Sequence, residues 1–365
     1  MGFWLTLVRV PNWIMACLGY VTLCHPSREV DPGGPLSRDP VSALWCRAGA
    51  GSVVVRPPRF PAIMRLMRPV LALTLMASAF YAADLRIDHV TLAGQSLDSM
   101  REAFTAATGI RTEYGGSHAN HVTEMALASF PDGSYIELMG IQGGADPATA
   151  AAHTWGRFLR NEGGPCAFAL RVSDVTAETE LLRKAGIHVG KAERSGRTRP
   201  DGVALAWETA DVGPGPRGSF FPFLIRDLTP REQRVYPSGA PIEKRFSGIG
   251  LVVIGVSNLD EAIAQYCKAF GLPAPKRQRD ETFGADLAWF ESTPVVLAMG
   301  MRPDTWLTKR TAEFGDAPCA FVLKATSRMN DQNFSPQRSS TWFGRSIFWA
   351  SDVKLAGNLG IWVTQ

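Results

Sequence analysis

Arg86-Ile87-Asp88-His89-Val90-Thr91-Leu92 opens a unit that runs to residue 141 and sets the reading of everything after it. The run has the period of two expected of a half-buried strand. A helix is expected next: Ser96 can cap it, Leu97, Met100, Phe104 and Ala107 fall on one face, and Gly109 stands where a left-handed C-terminal residue is wanted. Three extended pieces follow at 111–114, 122–130 and 134–141, the last two joined through Pro131-Asp132-Gly133, which is good hairpin chemistry. The predicted order is βαβββ.

Side chains alternate across a strand, so Val90 and Leu92 share one face while His89 shares the other with Ile87 and Thr91. In the last strand Ile136 and Leu138 suit a face under the helix, and Glu137 points the opposite way with Tyr135 and Met139. If both apolar faces meet the helix, His89 and Glu137 converge in a concavity. An imidazole and a carboxylate placed so can be metal ligands, an acid/base pair, or an ordinary hydrogen-bonded pair in a polar cavity.

The chain then repeats itself. Cys166-Ala167-Phe168-Ala169-Leu170-Arg171-Val172, an Asp174-capped helix bearing Val175, Leu181, Leu182 and Ala185, and strands at 188–194, 203–209 and 219–225 give a second βαβββ module. After a polar stretch at 228–245 containing Pro230, Pro237, Gly239 and Pro241, Ile249-Gly250-Leu251-Val252-Val253-Ile254 aligns with the opening run. Asn258 and Glu261 form a capping-box-like start to a helix carrying Ile263, Tyr266 and Phe270, and Pro318-Cys319-Ala320-Phe321 repeats Pro165-Cys166-Ala167-Phe168. Repetition on this scale indicates domain duplication.

Ile87-Asp88-His89-Val90, Phe130-Pro131-Asp132-Gly133-Ser134-Tyr135-Ile136-Glu137-Leu138, Arg199-Pro200-Asp201-Gly202 leading to Trp207, and Phe221-Pro222-Phe223-Leu224-Ile225 together resemble the glyoxalase-like domains of the vicinal oxygen chelate superfamily. That superfamily also holds extradiol dioxygenases and bleomycin-resistance proteins. The resemblance implies an α+β fold in which tandem βαβββ modules form two curved mixed sheets around cavities, with a degenerate second half. The domain divisions read 1–63 as an extension, 64–83 as a signal peptide, 84–227 as the glyoxalase-like domain, 228–245 as a linker and 246–365 as the second half.

With 365 residues, 45% of them hydrophobic, the chain can bury a substantial core. Its formal charge of +4 is local: residues 1–83 hold eight Arg and three acids, leaving 30 basic and 31 acidic residues beyond. That balance gives no support to nucleic-acid binding. The six cysteines lack a CxxC pair or regular spacing, and Cys166, Cys267 and Cys319 read as buried free thiols. No phosphate loop, dinucleotide fingerprint, HExxH or GxSxG occurs.

Residues 1–63 contain eight of the 25 prolines, six arginines and no lysine, without a sustained helical or strand period. Met64-Arg65-Leu66-Met67-Arg68, an apolar run to Met76 and Ala77-Ser78-Ala79 then have the anatomy of a secretory signal. Translation is therefore expected to start at Met64 or Met67, with export to the periplasm of a Gram-negative bacterium and no lasting membrane insertion after cleavage. A genuine N-terminal extension is the alternative.

The superfamily's metalloenzymes take His and Glu or Gln ligands from two facing modules. Here the resemblance assigns His89 and Glu137 as metal ligands and catalytic residues for a divalent ion, Zn, Fe, Mn or Ni. Ala167 stands where the second module would supply a ligand, and 221–225 offers no donor. His118, His121 or Glu124, expected on the strand between, could add a third. Arg197, Arg199 and Trp207 could hold an anionic or aromatic ligand, with exposed turn arginines as the alternative. His153 and Trp155 read as packing residues. On this alignment Leu251 replaces His89 and Leu297 replaces Glu137, so the second half reads as structural. Two functions remain: a metal-assisted lyase, isomerase or dioxygenase acting on a small oxygenated substrate, or a non-catalytic small-molecule-binding protein of the bleomycin-resistance type. The partners expected are a small-molecule ligand and, in a homodimer, a second copy of the chain.

Overall fold

The first module comprises β1 (Arg86–Ala93), α1 (Leu97–Thr108), β2 (Glu113–Ser117), β3 (Thr123–Ser129) and β4 (Tyr135–Ile141). This computed structural model describes residues 85–161, 163–326, 336–350 and 358–363. The leader, with the expected start site and signal, lies outside them, as does most of the polar run 327–340. Ser96 accepts from the Ser99 amide at 3.3 Å, and Gly109 closes α1 at φ 67°, donating to the Thr105 carbonyl. The buried face of α1 is Leu97, Met100, Phe104 and Thr108, so Thr108 takes the place expected of Ala107.

Two short helices, α2 (Pro147–Ala152) and α3 (Gly156–Arg160), fill the connection to the second module. The second module follows as β5 (Gly164–Arg171), α4 (Val175–Lys184), β6 (Glu193–Thr198), β7 (Ala204–Ala210) and β8 (Phe223–Asp227). Asp174 caps α4 as expected, but Val175, Thr179 and Leu182 form its buried face while Leu181 is exposed. The eight strands form one sheet in the order β2-β3-β4-β1-β5-β8-β7-β6. β1 runs parallel to β4 and β5 to β8, each pair needing its helix as a crossover, whereas β1 and β5 meet antiparallel at the centre.

The stretch expected as a linker carries α5 (Arg231–Val235) and packs against the first sheet. Val235 is buried with Met125, Leu127 and Tyr135, and the Tyr236 hydroxyl donates to the Phe130 carbonyl at 2.9 Å. The second half then repeats the plan with β9 (Phe246–Gly255), α6 (Leu259–Phe270), β10 (Lys276–Asp280), β11 (Ala285–Trp289), β12 (Val295–Gly300), α7 (Trp306–Phe314), β13 (Ala317–Ala325), β14 (Pro336–Trp342), β15 (Arg345–Ala350) and β16 (Asn358–Val363). Its strand order, β10-β11-β12-β9-β13-β16-β15-β14, matches the first. Asn258 accepts from the Glu261 amide at 3.2 Å at the start of α6.

The helix-side faces of both halves share one core. Val90, Phe104, Ile136 and Phe168 belong to the same buried cluster as Val252, Tyr266, Phe270 and Phe321. Phe220 and Phe221 each pack against Tyr266 with ring centroids 5.3 Å apart. Burying an aromatic or branched side chain of this kind is worth about 1.5–3 kcal/mol.

The opposite, concave faces differ. In the second half Leu251, Leu287 and Val296 face Phe283, Trp342 and Trp349, all buried. The Trp342 indole N–H donates to Asp280, and that of Trp349 to the Ser340 hydroxyl at 3.0 Å. This concavity is filled by its own side chains. The two halves also differ in the length of one hairpin. Cross-strand partners Leu127 and Glu137 are ten residues apart, whereas their counterparts Trp289 and Val296 are seven apart, so the second hairpin is shorter. Val296, not Leu297, therefore occupies the place of Glu137, and Leu297 packs on the helix side.

Candidate functional site

A β-bulge lets β1 present two polar residues in succession. The pairing with β5 steps from Ile87 to His89, leaving Asp88 without a cross-strand partner. Ile87 consequently joins the helix-side core with Val90 and Leu92, against the simple alternation that put it beside His89. His89 looks into the concavity as expected, and so does Glu137 on β4. Pairing of β1 with β4 sets His89 against Tyr135 and Thr91 against Glu137. The imidazole stacks on Tyr135 at 4.7 Å, and the Thr91 hydroxyl donates to Glu137 Oε2 at 2.8 Å.

Asp88 is the hidden centre of this arrangement. It is fully buried, with Oδ1 2.7 Å from His89 Nδ1. It also accepts from Arg231 Nη1 at 2.6 Å and Arg234 Nη2 at 2.9 Å. Both arginines come from α5, and both also pair with Asp227. Burial alone would raise the Asp88 carboxyl, but Arg234, His89 and Arg231 hold it well below the usual carboxylate range.

Glu137 lies between two imidazoles. His89 Nε2 is 3.8 Å from Oε2, and His118 Nε2 is 3.4 Å from Oε1. Burial opposes its charge, yet the hydrogen bond from His118, the nearby His89 and the Thr91 hydroxyl bring it down to about 2. His118 lies in the loop after β2, its Nδ1 2.8 Å from the Thr123 hydroxyl. The cavity, of about 290 Å³, continues past Asn120, His153 and Trp155 on one side and Arg197, Trp207, Arg217 and Phe223 on the other. That volume is close to the lower limit for a small-molecule site.

Several expected residues are placed elsewhere. His121 sits in the exposed turn before β3 with φ 56°, and Glu124 accepts from the Tyr114 hydroxyl at 2.9 Å; neither lines the cavity. Arg199 is also outside it, tying its turn to the Gln233 carbonyl at 2.8 Å and to that of Pro237. Arg197 and Trp207 do line it, as do His153 and Trp155, which had read as packing residues. Asp88 was visible beside His89, but alternation placed it on the helix side. Arg217 and Arg234 left no signal, because their positions depend on chain closure far from the motif.

The donor types around Glu137 are those of a transition-metal centre. Yet among the described residues no three His, Cys, Asp or Glu groups converge so as to share an ion. Glu137 separates the two imidazoles and takes a further hydrogen bond from Thr91. The residues as placed do not fit a resident metal. Cys166 and Cys319 are buried thiols, burial pushing Cys319 up to about 12.

The paired βαβββ modules around a polar concavity define the vicinal oxygen chelate class of protein. Residues 87–245 match the profile of the family described as a glyoxalase-like domain. A hypothetical protein from Staphylococcus aureus superposes with a TM-score of 0.54 at 15% identity, over 77% of this chain and all of that one. A 4-hydroxymandelate synthase variant from Streptomyces coelicolor gives 0.50 at 11% identity, over 77% of this chain and 93% of that one. For a Mn(II)-bound glyoxalase from Novosphingobium aromaticivorans the values are 0.44 and 12%, over 76% and 82%. No characterised sequence matches the chain. The likenesses to the Staphylococcus aureus and Streptomyces coelicolor proteins establish the fold, not the reaction.

Proposed function

We propose that the first-half cavity is an active site that moves a proton on a small oxygenated substrate, the chemistry of an isomerase or lyase. One observation carries this reading: the Asp88–His89–Glu137 array, with His89 Nδ1 held by a buried carboxylate and Nε2 facing the cavity and a second one. Asp88, kept ionised by Arg231 and Arg234, favours the tautomer with its proton on Nδ1. Nε2 then carries the lone pair and accepts a proton from a bound substrate. The imidazolium that forms lies against Glu137, which is ionised at every pH well above about 2. His118, on the other oxygen of Glu137, is placed to return a proton at a second position. General acid–base catalysis of this kind contributes about 10²–10⁴-fold.

The test is proton exchange. A panel of 2-hydroxy and 2-oxo compounds, charged and neutral, is incubated in D₂O with the protein, and deuterium entry next to the carbonyl or hydroxyl carbon is followed by NMR. Exchange on at least one compound, lost in His89→Gln while the melting curve is kept, is the expected result. Absence of exchange across the panel, with binding retained, would favour a binding protein instead.

A further inference from the structure

Arg197 stands on β6, at the edge of the first sheet, and reaches across to β2, where its Nη1 donates to the Gly115 carbonyl. The residue is only 8% exposed and lines the cavity. Its Nε is buried without an acceptor, and among the described residues no carboxylate forms an ion pair with it. The neighbouring cavity arginines differ. Arg217 pairs with Asp211 at 2.6 Å, and Arg234 with Asp88 at 2.9 Å. Glu137 and Tyr135 act on Arg197 only at longer range, and burial lowers its affinity for its proton. A guanidinium remains charged even so. A buried cation without a matching anion is costly unless something supplies the charge.

The walls beside it are aromatic. Trp207 and Phe223 line the cavity, Arg217 covers Phe223 with Cζ 4.1 Å from the ring centroid, and His89 meets Phe223 edge-on at 5.4 Å. Such surfaces suit a flat ring. We propose that Arg197 is the carboxylate receptor of this cavity and that the molecule it admits is a small single-ring aromatic acid. For the reaction, though not for the binding, this rests on the proton-transfer reading above. A guanidinium with one nitrogen already engaged still has donors for the two oxygens of a carboxylate. The cavity's volume of about 290 Å³ leaves room for little beyond one ring and its substituents.

Binding of benzoate, benzamide and phenyl phosphate to the full chain, by calorimetry at neutral pH and fixed ionic strength, tests it. Benzoate should bind on the order of 10- to 100-fold more tightly than benzamide, the range set by a charge-assisted hydrogen bond in a dry site. Arg197→Gln should erase that preference while benzamide binding persists, and Arg197→Lys should keep part of it. A purely structural role for Arg197 would weaken both ligands alike and leave the ratio unchanged. Equal binding of benzoate and benzamide by the unaltered protein would overturn the proposal even if neither variant folds, and so would a preference for phenyl phosphate over benzoate. Benzoate preference without any deuterium exchange would sink the proton-transfer reading and leave this one standing.

Discussion

Asp88→Asn removes one negative charge and keeps the shape of the side chain. In the folded protein Asp88 is wholly buried and accepts from Arg231, from both Nη atoms of Arg234, and lies 2.7 Å from His89 Nδ1. Without it, two guanidiniums share Asp227 alone, and Arg234 is itself only 4% exposed. Breaking a buried charge pair by removing one partner costs about 3–5 kcal/mol. Urea unfolding at pH 7 should therefore show the variant destabilised by about that amount. The pH dependence has a definite sign. The folded carboxyl is held well below its ordinary value near 3.8, so its contribution is complete above that value and is lost as pH falls through the lower, folded one. The gap between wild type and variant should thus be constant near neutrality and close below pH 3.8. Adding Arg234→Met to the variant should recover part of the loss, because the surplus buried charge is then gone. A variant as stable as wild type at pH 7, or a gap that widens in acid, would refute the reasoning.

Leu251→Ala, in the filled concavity of the second half, should cost about 2–5 kcal/mol in thermal or urea unfolding and leave benzoate affinity unchanged. Altered affinity would mean that the second half shapes the site directly. Metal analysis of protein purified without a histidine tag should find a substoichiometric content. One firmly held ion per chain, lost in both His89→Ala and Glu137→Ala, would mean that those side chains close around a metal and that the reaction must be rewritten with it.

Much of the fold could be read from local pattern. The caps at Ser96, Asp174 and Asn258 and the left-handed Gly109 depend on residues within a turn of one another, so sequence order carries them. The convergence of His89 and Glu137 followed from alternation, which holds wherever a strand is regular. It failed one residue away. The bulge at Asp88 arises from pairing with β5, more than seventy residues on, and no local pattern announces it. The mismatch of Glu137 with Leu297 has the same origin: hairpin length, not residue similarity, sets the register. Arg231 and Arg234 lie in a stretch whose prolines and polarity read as linker, and their roles appear only once α5 lies across the sheet. Closure in three dimensions also decides between His118, which reaches Glu137, and His121, which does not.

The single core beneath both halves has a consequence for how the protein responds to damage. Since Tyr266 of α6 donates its hydroxyl to the Phe220 carbonyl at 2.5 Å and packs on Phe221, neither half can open its helix layer without exposing apolar surface of the other. The two halves should lose structure in one cooperative step, so a single calorimetric peak describes both. A distant lesion in the copy whose concavity is filled would then lower the amount of competent protein while leaving the surviving molecules' affinity untouched. Selection can act on the filled copy through abundance alone, which frees its surface to drift while its packed interior stays constrained.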